Sequence, residues 1–370
     1  MNQNTKHLMA LAQIEGLGPI SLQKLLDYFN DAEACFIASF SDFKKAGLED
    51  KLIDKIIKQR NKLDAEKLFE QTKKEGLEVI TYFEKDYPEI LKNIYAPPLV
   101  LYYRGDLSVI NYPSLAVVGS RKISSYAQNI LPDLLKEAIS HRIVITSGMA
   151  YGVDALAHRT TLENKGLTIA VIGSGLAWDY LYPSGHCRLA KQIIEAGGLI
   201  LSEFPPFMKS LPYNFPRRNR IIAGLSQASL IVEASFKSGA LITAKYALEQ
   251  GREVLAIPGP INLENSQGVN LLIKNGAKVV ASADDILESF GIISRPEKMI
   301  ESFDTQQATA DELAIIKILK GATLHIDKII EHCTLDTSIT SALLMRMELK
   351  GWIKNIGGHN YISLVKPPDH

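Results

Sequence analysis

The sequence predicts a doubly wound α/β sheet set between a small all-helical module and a C-terminal winged-helix domain, on three observations. Short apolar runs alternate with helix-length segments from Leu115 to Ala281, the rhythm of a parallel sheet buried on both faces. Several of these runs stop at a glycine or another small residue, as strands do when they turn directly into a helix. Before and after this stretch the apolar residues recur at three- and four-residue steps, which is helical spacing.

The N-terminal module is expected to span residues 1–72. Leu22, Leu25, Leu26 and Phe29, then Leu52, Ile53, Ile56 and Ile57, set its helical period. Ile14-Glu15-Gly16-Leu17-Gly18-Pro19 separates its first two helices. Two glycines and a proline suited to a first helical turn fit either a helix-hairpin-helix, which offers amides to a phosphate, or an ordinary interhelical turn.

Residues 73–290 form the sheet domain. A Tyr- and Pro-rich lead-in ends in a short strand at Leu99–Tyr103. Strands follow at Leu115–Gly119, Ile143–Thr146, Thr168–Ile172, Leu199–Ser202, Leu230–Glu233, Val254–Ile257 and Lys278–Ala281. Residues 291–309, with Ser294, Arg295, Pro296, Gln306 and Gln307, read as a linker. Residues 310–370 hold three helical segments at Asp311–Lys320, Ile326–His332 and Thr337–Lys350. A hairpin turning at Gly357-Gly358 comes next, the outline of a winged helix. Its third helix carries only Arg346 and Lys350 against Glu348, so a protein-contact or packing role is preferred to DNA reading.

Composition narrows the function classes. Lys and Arg number 41, equal to Asp and Glu, so any attraction for a polyanion must come from local clustering. A 46% hydrophobic and 22% charged chain excludes wholesale disorder. No apolar run reaches the length that crosses a bilayer, and Cys35, Cys187 and Cys333 lie far apart without metal or disulfide spacing. The expectation is a cytoplasmic protein with no membrane insertion.

In a doubly wound sheet, ligands lie beyond the carboxyl ends of the strands, where the glycine-bearing turns fall. Gly119-Ser120-Arg121 places amides, a hydroxyl and a guanidinium at one such end, a favourable anion site. Ser147-Gly148-Met149 through Gly152 leads into a helix on which Asp154 and His158 stand four apart. With no third ligand and no adjacent nucleophile, a structural hydrogen bond holding the loop is preferred to a metal site or a general base. Gly173-Ser174-Gly175 lacks the third glycine and the properly spaced acid of a dinucleotide site.

The strongest signal is Asn214-Phe215-Pro216-Arg217-Arg218-Asn219-Arg220, after which the chain turns apolar. At least two of these guanidiniums are expected to point along the sheet crest. From Lys209 to Arg252 seven basic residues face Glu233 and Glu249, a local surplus of five, and Phe204, Phe207, Tyr213 and Phe215 are interleaved just before or within it. Basic groups beside aromatic faces suit single-stranded nucleic acid, with charge on the phosphates and rings on the unpaired bases. The competing reading makes the aromatics core and the arginines structural ion pairs. Ser238-Gly239 opens a further helix directly after a strand.

These motifs in this order, with Tyr182-Pro183, Ser202-Glu203, Pro258-Gly259 and Ser266-Gln267-Gly268-Val269-Asn270, resemble the DprA/Smf family, the DNA-processing proteins of natural transformation, over about residues 80–285. The flanks resemble that family's additions, a SAM-like or helix-hairpin-helix module and a DML1-like winged helix. The resemblance implies an extended Rossmann-like fold and a non-catalytic homodimer without cofactor or metal. It implies a protein that coats and protects incoming single-stranded DNA and loads the RecA recombinase onto it. The contacts it implies are Gly119, Ser120, Arg121, Ser147, Gly148, Met149, Phe215, Arg217, Arg218, Asn219, Arg220, Ser238 and Gly239, with room for one arginine to pair internally with Glu203 or Glu233.

Two rival classes remain at this stage. A Rossmann-like nucleotide-processing enzyme of the phosphoribohydrolase kind would bind phosphate at the same crest, but its Pro-Gly-Gly-x-Gly-Thr signature is missing. A pure interaction scaffold would act through the winged helix alone.

Overall fold

The computed structural model describes residues 3–292, 308–319, 323–333, 335–355 and 357–365. The chain divides into two compact units, Met1–Ile292 and Ile293–His370.

The first unit is built on nine strands: β1 Glu78–Thr81, β2 Val100–Gly105, β3 Ser114–Val118, β4 Val144–Ser147, β5 Thr168–Val171, β6 Leu199–Ser202, β7 Ala228–Ile231, β8 Glu253–Ala256 and β9 Lys278–Val279. Their order across the sheet is β1-β2-β6-β5-β4-β3-β7-β8-β9. The pairs from β6 through to β9 are parallel, whereas β1 pairs antiparallel with β2, and β2 antiparallel with β6. Each of the seven parallel strands and β2 overlaps the apolar run expected to form it, with β7 beginning two residues before the expected Leu230–Glu233. The short β1 was not anticipated.

Strand alternation sends successive residues to opposite faces. Ala116 and Val118 of β3 pack with the helices Asn214–Gly224, Gly239–Glu249 and Glu264–Lys274 through Ile221, Ile222, Ala240, Ala244 and Val269. Leu115 and Val117 pack on the other face with the helices Ser125–Ser140 and Val153–Glu163 through Leu131, Leu135, Val153 and Ala157. The N-terminal helices share a core with β1, β2, β5 and β6, where Leu8, Leu25 and Phe43 join Val79, Val100, Ala170 and Ile200. Pro19 opens the helix Pro19–Phe29 at its first turn, as its fixed φ favours.

The second unit has helices Ala310–Ile318, Ile326–Cys333 and Thr337–Leu349, and strands β10 Leu324–His325, β11 Ile353–Asn355 and β12 Asn360–Ser363. Its strands run antiparallel in the order β10-β12-β11, around a core of Ile315, Ile316, Ile329, Leu344 and Met347. This is the expected winged helix. Arg346 and Lys350 each lie 3.0 Å from the buried Glu312 carboxylate, so the basic groups of the third helix are spent inside the unit. Most of the expected linker, residues 293–307, lies outside the described residues.

The sheet order positions the site. After β3 the chain adds β4, β5 and β6 on one side, then returns to add β7, β8 and β9 on the other. The direction reverses between β3 and β7, and the loops beyond those two strands must part there, leaving a crevice. Among the described residues no helix is long and apolar enough to cross a membrane.

Candidate nucleic-acid interface

A cavity of about 620 Å³ occupies that crevice. Gly119, Ser120 and Arg121 enter it from the end of β3, Asp154 from the β4 side, Phe215, Arg218 and Asn219 from the helix Asn214–Gly224, and Ser238 and Gly239 from the turn after β7.

The β3 and β4 loops interlock. Ser120 Oγ accepts from Lys122 N at 3.1 Å and donates to Lys122 O at 2.9 Å, while Val153 N donates to Ser120 O at 3.1 Å. Gly152 has φ +79°, and a Cβ there would sit 2.2 Å from Ser120 O, so glycine is required on both counts. Beyond this closure Arg121 is exposed, with its guanidinium carbon 5.3 Å from the centre of the Phe215 ring.

Asp154 holds the β4 loop: its Oδ2 accepts from Gly148 N at 3.1 Å and Ala150 N at 3.3 Å. Burial pushes its carboxyl pKa up, against the pull of Arg218 and the two amides. His158 bonds not to Asp154 but to Thr168, with Nδ1 2.7 Å from Thr168 Oγ1, and burial holds its imidazole down to about 3. Each side chain thus has a structural partner, and among the described residues no three side chains form a metal-binding group.

Arg218 forms the cavity wall. Its Nη1 donates to Gly148 O at 2.9 Å and to Val171 O, and its Nε donates to Asn219 Oδ1 at 3.1 Å. Asn219 Nδ2 in turn donates to Gly239 O at 3.2 Å. Burial holds the guanidinium down to about 10, so it remains charged at neutral pH. Its direct partners are neutral oxygens, and only the nearby Asp154 offsets its charge. An anion entering the cavity therefore meets a positive wall.

The other two arginines face elsewhere, because a helix turns about 100° per residue and 217, 218 and 220 cannot share one face. Arg217 keeps 43% of its side chain exposed, with Nε 3.5 Å from Glu203 Oε1. Arg220 is 4% exposed and its Nη2 lies 2.6 Å from Glu203 Oε2. Buried Glu203 requires a counter-charge, and Arg220 supplies it. Of the arginine run, Arg217 reaches the surface, Arg218 walls the cavity and Arg220 turns inward.

Other expected contacts divide in the same way. Ser147 and Met149 are fully buried; Ser147 Oγ donates to Val117 O, and Met149 takes φ +57°. Gly148 lines a much smaller cleft that adjoins the main cavity. Ser238 caps the helix Gly239–Glu249 by accepting from Ala240 N, while the Gly239 amide has no partner among the described residues. Phe204 is core, Tyr213 is 62% exposed, and Phe215 fills the space a Cβ on Gly173 would occupy. Tyr182, read from the sequence as a turn residue, lines the cavity beside Phe215.

Residues 78–291 match the family model for DNA recombination-mediator protein A, and residues 301–359 match the DprA winged helix domain. The chain belongs to the DNA recombination-mediator protein A family. Among DprA/Smf relatives, Protein Smf of Synechocystis is 38% identical over 330 residues, 87% of this chain and 82% of that one. DNA processing protein DprA of Streptococcus pneumoniae is 44% identical over 204 residues, 55% of this chain and 71% of that one. The crystal structure of S. pneumoniae DprA superposes with a TM-score of 0.67 at 34% identity, covering 76% of this chain and 97% of that chain. A structure of Helicobacter pylori DprA, described for its single-stranded DNA binding mode, gives a TM-score of 0.52 at 26% identity, covering 58% and 95%. The DprA family assignment agrees with both the nine-strand sheet and the winged helix.

Proposed function

We propose that this DprA family member is a cytoplasmic, non-catalytic homodimer that binds and protects single-stranded DNA and loads a RecA recombinase onto it in recombination during natural transformation. The observation that carries the reading is the cavity at the strand-order reversal. It gathers exposed Arg121, buried Arg218 and the free Gly239 amide around a space rimmed by the Phe215 ring. Guanidiniums and helix N-terminal amides are phosphate ligands, and an aromatic rim can take a base only if that base is unpaired.

The H. pylori relative's single-stranded DNA binding mode supports the choice of ligand. The family's recombination-mediator description supports hand-over to a recombinase as the next step. Asp154, the carboxylate in the cavity lining, is occupied by two amides, which favours holding a strand over cleaving one.

Retention of labelled single- and double-stranded oligonucleotides by the full chain tests the reading, together with RecA filament growth on strands covered by single-strand-binding protein. Preferred retention of single strands and faster filament growth support it. Equal retention of both, or release of free base from nucleoside monophosphates, contradicts it.

A further inference from the structure

Two exposed tyrosines stand at the cavity, Tyr182 in its lining and Tyr151 just beyond it, and neither was given a role above. Tyr151 is 50% exposed and Tyr182 39% exposed. Both line the small cleft that contains Gly148, and Arg121, Tyr182 and Phe215 line that cleft and the main cavity alike, so the two spaces adjoin.

Neither ring is a loosely tethered loop side chain. Tyr151 sits at the tip of the β4 loop, whose amides at 148 and 150 are held by Asp154 and whose Gly152 closes against Ser120 O. Its ring lies 4.6 Å from the ring of buried His186, and His186 Nδ1 is 2.8 Å from Met149 O. Tyr182 N donates to Ser174 Oγ at 3.1 Å, and its ring is 5.6 Å from that of Phe215. Single exposed aromatics are ordinary on a protein surface. Here two such rings are held in place by ordered neighbours and flank an arginine at a phosphate-binding site, and that arrangement lowers the ordering cost of a ligand that stacks.

We infer that Tyr151 and Tyr182 form a second subsite, which stacks the unpaired base of the nucleotide next to the one whose phosphate enters the cavity. The inference rests on the single-strand reading above. Arg121, shared by the two spaces, holds the phosphate between the two nucleotides. Every base presents a π-face, so the subsite is tolerant of sequence and excludes a duplex, whose bases are already stacked.

The test uses the full chain and two labelled strands of equal length, oligothymidylate and the same backbone carrying abasic sites. Tyr151→Leu and Tyr182→Leu should each weaken thymidylate binding by about tenfold and leave abasic binding nearly unchanged. Tyr151→Phe and Tyr182→Phe, which keep the ring, should bind as the parent does. If the leucine variants lose equally on both strands, or lose nothing on thymidylate, the subsite is refuted while strand binding stands. If the parent protein retains neither strand, the single-strand reading itself fails.

Discussion

Arg218 and Gly148, seventy positions apart, are fitted to each other: Arg218 Nη1 donates to Gly148 O at 2.9 Å, and a Cβ on Gly148 would lie 2.5 Å from Arg218 Nη2. A Cβ at this position would compete with the guanidinium for the same space. Gly148→Ala should therefore displace Arg218 from the cavity wall. Strand affinity should fall by tenfold or more and stability by about 1–3 kcal/mol, the cost of leaving a buried donor unpaired. Fluorescence anisotropy and urea unfolding on one preparation check both numbers.

Arg220 is expected to matter for folding and not for binding. Arg220→Ala leaves Glu203 buried with only the half-exposed Arg217 nearby, and breaking a buried pair costs about 3–5 kcal/mol. Urea midpoints should show that loss, while the folded fraction retains the parent's affinity for a strand.

Arg121 should behave in the opposite way. It is exposed and touches the Phe215 ring, so Arg121→Ala should change stability by no more than about 0.5 kcal/mol. Affinity should drop about tenfold for all oligonucleotide sequences alike, since a charge-assisted bond to phosphate reads no base. Titration against several homopolymers checks the uniformity.

His158 makes the fold acid-sensitive. In the folded chain its imidazole stays neutral down to about pH 3, whereas the unfolded group takes up a proton near 6.5. Between those values the unfolded state binds more protons, so stability falls as pH falls, by up to about 1.4 kcal/mol per unit from this group. His158→Gln keeps a polar partner for Thr168 and cannot titrate. Its unfolding free energy should be flatter than the parent's between pH 6 and pH 4, and parallel curves would count against the assignment.

Much of the fold was legible in the residues, because a parallel strand buried on both faces needs an unbroken apolar run, and Leu115–Gly119 and Thr168–Ile172 are such runs, repeated between helix-length segments. The position of the candidate cavity was legible for the same reason, since the strand ends at Gly119-Ser120 and Ser147-Gly148 fall beside it. Strand β1 escaped notice because Glu78–Thr81 is four residues long and only its pairing with β2 makes it a strand. The three directions of Arg217, Arg218 and Arg220 were hidden because charge clustering does not say which face of a helix meets the sheet. Partnership with Glu203 was foreseeable only as one of two options. Tyr151 gave no signal, since an isolated Tyr in a loop has no period, and the closing of Gly152 onto Ser120 brings it beside Arg121; Tyr182 was marked only by the Tyr182-Pro183 motif and read as turn chemistry.

The most direct test of the central claim, that guanidiniums and bare amides hold the phosphates of a single strand, is the dependence of affinity on salt. About four phosphate contacts at about −0.7 each predict a slope near −3 for the logarithm of the association constant against the logarithm of salt concentration. The account predicts that slope for the parent, and one shallower by about 0.7 for Arg121→Ala. A slope near zero for the parent would contradict it.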